Sequence, residues 1–351
     1  MEYTNFGKAG VRGRRMALGM GLRGQDDPAE AQRMIEHAMA QGINLIDCAN
    51  IYGLMDDRAY VRVSESILGK AIKGKRDDVM ITSKVAQVIG PGENDYSLSR
   101  YHIIREAERS LKNIGTDHID FYICHVFDPN TPLEETVRAL DDLVRSGKVR
   151  YIGCSRFDAW QVMKAQWIAD RFNATPFMCV QHHYNLLNRR LEADMIPVIR
   201  DQGLGTMVFS PLAVGLLSGL YSPDQDPPEG SYWASRTIED YRSKATGFGG
   251  EIISAVFDIA RELGKTPAQV AIAWVLSHPD SNIPAIGASG AAFGLLGAYM
   301  ACWPDDEVEF PLLFLIRAWP IWVIVFVRLG LEVWQMYSIQ SGTAGEGTVA
   351  H

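Results

Sequence analysis

The chain has little cysteine and spaces it poorly for metal or disulfide chemistry. Of 351 residues five are cysteine (Cys48, Cys124, Cys154, Cys179 and Cys302), and no two form C-x-x-C. That excludes the usual zinc and disulfide frameworks and suits a reducing cytoplasm. There is no basic run and no aromatic-and-basic stripe, and the net charge is −8, so nucleic acid is not an expected partner. No G-x-G-x-x-G follows the first strand-like run, which removes the usual dinucleotide signature of a doubly wound sheet. The opening MEYTNFGKAG lacks an apolar stretch of signal-peptide length. Lysine is absent after Lys265, and residues 290–351 hold only two basic residues, Arg317 and Arg328, but four of the eight tryptophans.

What is present is an ordinary globular balance, 47% hydrophobic and 22% charged, in a chain long enough for one large domain and an extra segment. Up to about Gly287, short apolar runs alternate with amphipathic helical stretches. The strand candidates are MALGM (16–20), INLIDCA (43–49), DVMITSK (78–84), IDFYICH (119–125), VRYIGCS (149–155), FMCVQ (177–181), GTMVFS (205–210) and NIPAIG (282–287). Helices are expected between them, over 28–42, 99–115 and 131–148 among others. The last of these lines Leu133, Val137, Leu140 and Val144 on one face behind an acidic first turn. Eight strands separated by helical crossovers within ~250 residues predict an α/β fold, a (β/α)₈ TIM barrel over residues 1–289.

Such a barrel carries its site at the C-terminal ends of the strands. Asp47, Lys84, His125, Ser155, Gln181 and Ser210 stand at six successive strand ends. Carbonyl reduction needs a hydride donor, a proton donor and a group to hold the oxygen. Tyr52 can give the proton, and the Lys84 ammonium is expected to favour the phenolate and lower the tyrosine pKa. Asp47 would pair with Lys84, and His125 could hydrogen-bond the substrate oxygen.

Together these segments resemble the aldo-keto reductase family. GINLIDCANIYG is similar to its signature, ITSKV carries its lysine, and YICHVFDPNTPLEETVRALDDLVRSGKVRYIGCS its histidine. VQHHYNLLNR, VFSPLAVGLLSGLY and TPAQVAIAWVLSHPDSNIPAIGAS resemble its cofactor segments and its approach to strand eight. The resemblance implies that Asp47, Tyr52, Lys84 and His125 are catalytic and that NADPH serves a small aldehyde or ketone without a metal. It implies cofactor contacts from Gly19 and Met20, from Ser155, Arg156 and Gln181, from Phe209 stacking on the nicotinamide, and from Ser210, Pro211, Leu212, Gly215 and Leu217 around the pyrophosphate. Gly287 and Ser289 would follow at strand eight. Arg156 stands where many members have asparagine, an exchange tolerated in the potassium-channel β-subunit-like branch, and QHHY replaces the commoner Gln-Asn-x-Tyr. A cofactor-binding regulatory module of that branch is the alternative reading.

After strand eight the family continues into a polar helix for the adenosine end of the cofactor. Here the chain reads GASGAAFGLLGAYMACWP, without a charged residue from Asn282 to Pro304, so the barrel is expected to lack its usual last helix. Residues 287–351 resemble a fragment of a rhomboid intramembrane protease, with GASG similar to its G-x-S-G motif, Ser289 in the nucleophile position and no base for it. An apolar helical tail over 290–351 is expected, with 290–336 a candidate for membrane association.

Overall fold

The computed structural model describes residues 3–22, 25–277, 307–308 and 319–320. These fall into two compact units, Met1–His182 with Ala193–Val208, and His183–Glu192 with Phe209–His351.

The first unit opens with an antiparallel hairpin, β1 (Tyr3–Asn5) and β2 (Arg12–Arg14), which no periodicity in the sequence announces. Strand–helix alternation follows: β3 (Leu18–Gly19), α1 (Pro28–Ala40), β4 (Leu45–Asp47), α2 (Val63–Ala71), β5 (Met80–Val85) and α3 (Arg100–Ile114). It continues with β6 (Ile119–Cys124), α4 (Leu133–Arg145), β7 (Val149–Ser155), α5 (Ala159–Phe172), β8 (Cys179–His183), α6 (Met195–Gln202) and β9 (Gly205–Phe209), the last residues of β8 and β9 being counted in the second unit. β3 to β9 form one sheet in chain order, and the registers from β3 through β8 are parallel. Both faces of such a sheet are covered, and every residue of β5 is buried.

Local chemistry sets the helix starts. Asp27 caps α1 by accepting from Ala29 N–H at 2.8 Å, with Pro28 in the first turn. Ser99 caps α3, which stops at Gly115 with φ of 75°. Asp158 and Gln161 form a reciprocal capping box on α5.

The sheet is curled. Leu45, Met80, Phe121, Ile123, Cys179 and Met207, from β4, β5, β6, β8 and β9, pack in one apolar cluster that Phe6 of the hairpin joins. Gln181 on β8 also donates to Asp47 on β4 at 2.9 Å. In a flat sheet, four strand spacings of ~4.8 Å would hold those strands ~19 Å apart. This is the curl of a β/α barrel, with seven strands among the described residues. The eighth, expected over 282–287, lies outside them.

The second unit contains α7 (Ile238–Ala245), α8 (Gly247–Glu262) and α9 (Pro267–Ser277). In the expected helical tail, the described residues are a strand pair, β10 (Glu307–Val308) antiparallel to β11 (Trp319–Pro320). The apolar run is therefore not helical at Trp319–Pro320, where Pro320 lacks the N–H a helix interior needs. Among the described residues no helix is long and apolar enough to cross a membrane. The rest of the candidate membrane segment 290–336 lies outside them.

Candidate active site

β4, β5 and β6 end side by side, and their last polar residues meet. Thr82 of β5 pairs with Asp47 of β4, so Thr82 and Lys84, two apart, share the strand face that looks toward the aspartate. Thr82 Oγ1 donates to Asp47 Oδ1 at 2.5 Å, and Lys84 Nζ donates to Asp47 Oδ2 at 2.8 Å. The ammonium also donates to Cys48 O at 2.9 Å and Tyr52 Oη at 3.2 Å, which engages all three of its protons. Tyr52 is delivered by the turn after β4, where its N–H donates to Ala49 O and its carbonyl accepts from Ser64 N–H. His125, just past β6, is 5% exposed and sets its ring edge-on to Tyr52, centroids 5.7 Å apart. The structure thus brings Asp47, Tyr52, Lys84 and His125 together.

The electrostatics correct one expectation. Burial pushes the Tyr52 phenol up, and the Lys84 charge opposes this without overcoming it, so the net direction is upward rather than downward. Burial pulls Lys84 down, but the Asp47 carboxylate and the Tyr52 oxygen outweigh it and hold the ammonium above its ordinary range. The site therefore favours a protonated tyrosine beside a charged lysine. The thiols near it are inert, since Cys48, Cys124, Cys154 and Cys179 are buried and free and burial pushes each of them up.

Ser155 and Gln181 are register partners at the ends of β7 and β8. Ser155 Oγ is buried and has no hydrogen-bond partner among the described residues, while Gln181 Nε2 donates to Asp47. Arg156 is exposed in a left-handed conformation, φ 57°, and its N–H donates to Gln181 O. Gly19 ends β3 opposite Asp47, where an added Cβ would meet open space. Met20 is fully buried in the core, and its N–H donates to Asp47 O at 2.8 Å.

In the second unit, Phe209 ends β9 and opens a strained turn in which Ser210, Ala213, Val214 and Gly215 all have positive φ. Gly215 and Leu217 N–H both donate to Leu212 O, and the Leu217 side chain is fully buried, so this turn is first of all bonded to itself. Pro211 and Leu212 are half-buried within it. Gly287 and Ser289 lie outside the described residues. Sequence reading missed Thr82, whose place on the lysine face follows from strand alternation. His183, noted in the sequence only as part of the QHHY departure, stacks on Phe209 with centroids 5.3 Å apart and planes 8° from parallel.

Residues 15–292 match the aldo/keto reductase family. The chain is 40% identical over 297 residues to the "Uncharacterized oxidoreductase YrpG" of Bacillus subtilis (strain 168), covering 82% of this chain and 87% of that one. It is 33% identical over 299 residues to a "Probable voltage-gated potassium channel subunit beta" of Arabidopsis thaliana, and 32% identical over 299 residues to one of Oryza sativa subsp. japonica. Each of those alignments covers 82% of this chain and 88% of the relative. The rhomboid-like reading of residues 287–351 finds no support in these matches.

Proposed function

The chain belongs to the aldo/keto reductase family, and on that premise we propose that it is an oxidoreductase reducing a small aldehyde or ketone to the alcohol with NADPH, Tyr52 acting as general acid. The observation that carries this reading is the buried chain Asp47–Lys84–Tyr52, closed by 2.8 and 3.2 Å contacts beside His125. When bound, the cofactor supplies a hydride to the carbonyl carbon. Tyr52 Oη gives its proton to the oxygen as negative charge develops there. The phenolate left behind lies against the Lys84 ammonium, an interaction strongest once the proton has gone, which is where catalysis gains from it. His125 would hold the carbonyl oxygen by an imidazole N–H. Asp47 keeps Lys84 charged and in place.

The residues present fit a nicotinamide cofactor. A buried serine hydroxyl without a partner, next to a glutamine amide, suits a primary carboxamide, and Ser155 and Gln181 would take that part. Phe209 would stack on the ring, the turn of Ser210, Pro211, Leu212, Gly215 and Leu217 would take the pyrophosphate, and Gly19, with Met20, leaves room at β3. Arg156, Gly287 and Ser289 complete the proposed set. The family match ends at residue 292, which supports a reductase-like domain over 1–289 and a separate segment over 290–351.

Tyr52→Phe should keep NADPH binding, followed by cofactor fluorescence, and lose at least about 10²-fold in turnover across a panel of small aldehydes. Full turnover in that variant would overturn the assignment. A second reading rests on the relatives named as potassium channel β subunits: a cofactor-binding regulatory module with little turnover. Wild-type chain that binds NADPH but turns over none of the panel would favour it.

A further inference from the structure

Glu106 on α3 has a fully buried side chain, and the reaction described above makes no use of it. A carboxylate buried alone takes up a proton. Here burial pushes Glu106 up, but Arg62 and Arg109 outweigh it and hold the group below its ordinary value. Its Oε1 accepts from Arg109 Nη1 at 2.8 Å, a partner one turn along the same helix. Its Oε2 reaches elsewhere. It accepts from Asn50 Nδ2 at 3.2 Å and from Arg62 Nη2 at 2.7 Å, the two ends of the loop that carries Tyr52.

Those ends are also joined through the backbone, since Arg62 N–H donates to Asn50 O at 2.8 Å. Arg62 is left-handed there, φ 66°, a conformation that a residue with a Cβ sustains only where its surroundings hold it. Between the ends the loop folds on itself. Asp57 N–H donates to Leu54 O and Tyr60 N–H to Asp57 O, and a Cβ added at Gly53 would lie 2.5 Å from Tyr60 O. Just past the second end, Ser64 N–H donates to Tyr52 O. Such a loop moves as one piece about its base, so what fixes the base fixes the phenol. We propose that Glu106 is a positioning residue, which clamps Asn50 to Arg62 on one carboxylate oxygen and so holds Tyr52 Oη against Lys84 Nζ. This role rests on the reading of Tyr52 as general acid. The charges that act most on the phenol are those of Lys84 and Asp47, so Glu106 works through placement and not through its field. The arm to Arg109 stays within α3 and does not touch the loop.

Two measurements on the full chain test this. In NADPH-dependent reduction of small aldehydes, Glu106→Ala should lower kcat at least about tenfold and leave the NADPH Kd within about twofold, because a small misplacement at the reacting atoms costs that much. Glu106→Gln, whose carbonyl can accept from both arms, should recover most of the loss. Asn50→Ala removes one arm and leaves every charge paired, so it tests the clamp even where Glu106→Ala does not fold, and its kcat should fall less steeply with Kd again unchanged. Arg109→Gln should keep the wild-type kcat. In ¹³Cζ-tyrosine-labelled protein without cofactor, the signal missing from Tyr52→Phe belongs to Tyr52. That signal should move in Glu106→Ala and Asn50→Ala and return in Glu106→Gln. Unchanged kcat in the folded variants, beside a loss in Tyr52→Phe, would overturn the clamp and leave the general-acid reading intact. A loss in Arg109→Gln as large as in Glu106→Ala would mean a general loosening of α3 and would overturn it too. Full turnover in Tyr52→Phe would overturn the general-acid reading and the positioning role with it. In a chain without turnover the tyrosine signal decides, and one unmoved by either variant would overturn the clamp.

Discussion

Lys84 has no water to fall back on: its side chain is fully buried, and each ammonium proton has a named acceptor. Removing one partner from a buried ion pair leaves the other charge stranded, a loss of roughly 3–5 kcal/mol. Asp47→Ala should therefore cost about 3 kcal/mol in denaturant unfolding. It should also cost more than the double variant Asp47→Ala with Lys84→Met, in which no charge is left unpaired. The carboxylate is the largest influence holding the lysine up, so the single variant lets burial pull the ammonium down. A double variant as unstable as the single one would show that the pair is not the source of the loss.

At the scale of elements, the sheet tolerates almost nothing at the centre of β7. Gly153 pairs with Ile123 on one side and Cys179 on the other, and an added Cβ would lie 2.4 Å from Cys179 Sγ and 2.5 Å from Cys179 O. The second of these atoms is backbone, so the strand itself would have to move. Gly153→Ala should destabilise by about 2 kcal/mol or more, measured by thermal or urea unfolding, and an unchanged midpoint would contradict the β7–β8 spacing. β7 was also the most legible element, because seven consecutive residues with a serine at the end give its span, 149–155, directly. β8 begins two residues later than the apolar run at 177 suggests, since Phe177 turns into the core against Phe157 before pairing starts at Cys179. That shift brings His182 and His183 into the strand. The β1–β2 hairpin was illegible because strands of three residues carry too little alternation to register. For the site, the residue types at strand ends gave Asp47, Lys84 and His125, whereas the direction of the Tyr52 shift depended on burial, which no spacing reveals. The bond from Gln181 to Asp47 needed the curl of the sheet.

Across the molecule, acid should act in two stages with separate causes. His182 is pushed down to about 4 by burial, with Asp194 and Asp158 only partly offsetting it, and its Nε2 is enclosed without a partner among the described residues. The folded state therefore refuses a proton that the unfolded chain accepts from its ordinary value of 6.5 downward. Stability from this group is complete above pH 6.5 and is lost as pH falls toward 4, roughly 3 kcal/mol in all at 1.36 kcal/mol per pH unit. The second stage belongs to carboxylates. Burial pushes Asp128 up, but Thr131 and the N–H groups of Leu98 and Asn130 outweigh it. At Asp141, Arg145 and Thr175 likewise outweigh burial. Both end below the usual value of 3.8, so their contribution persists to that pH and disappears beneath it. Urea unfolding at pH 7 and pH 5 should differ by about 2 kcal/mol in wild type through His182. In His182→Gln, which cannot titrate, that difference should shrink, and what remains belongs to His102, which burial also pulls down. The further loss below pH 4 should remain in both proteins, because it comes from side chains the substitution does not touch. Equal losses between pH 7 and 5 in the two proteins would remove His182 from the first stage and shift it to His102, the other histidine that burial pulls down.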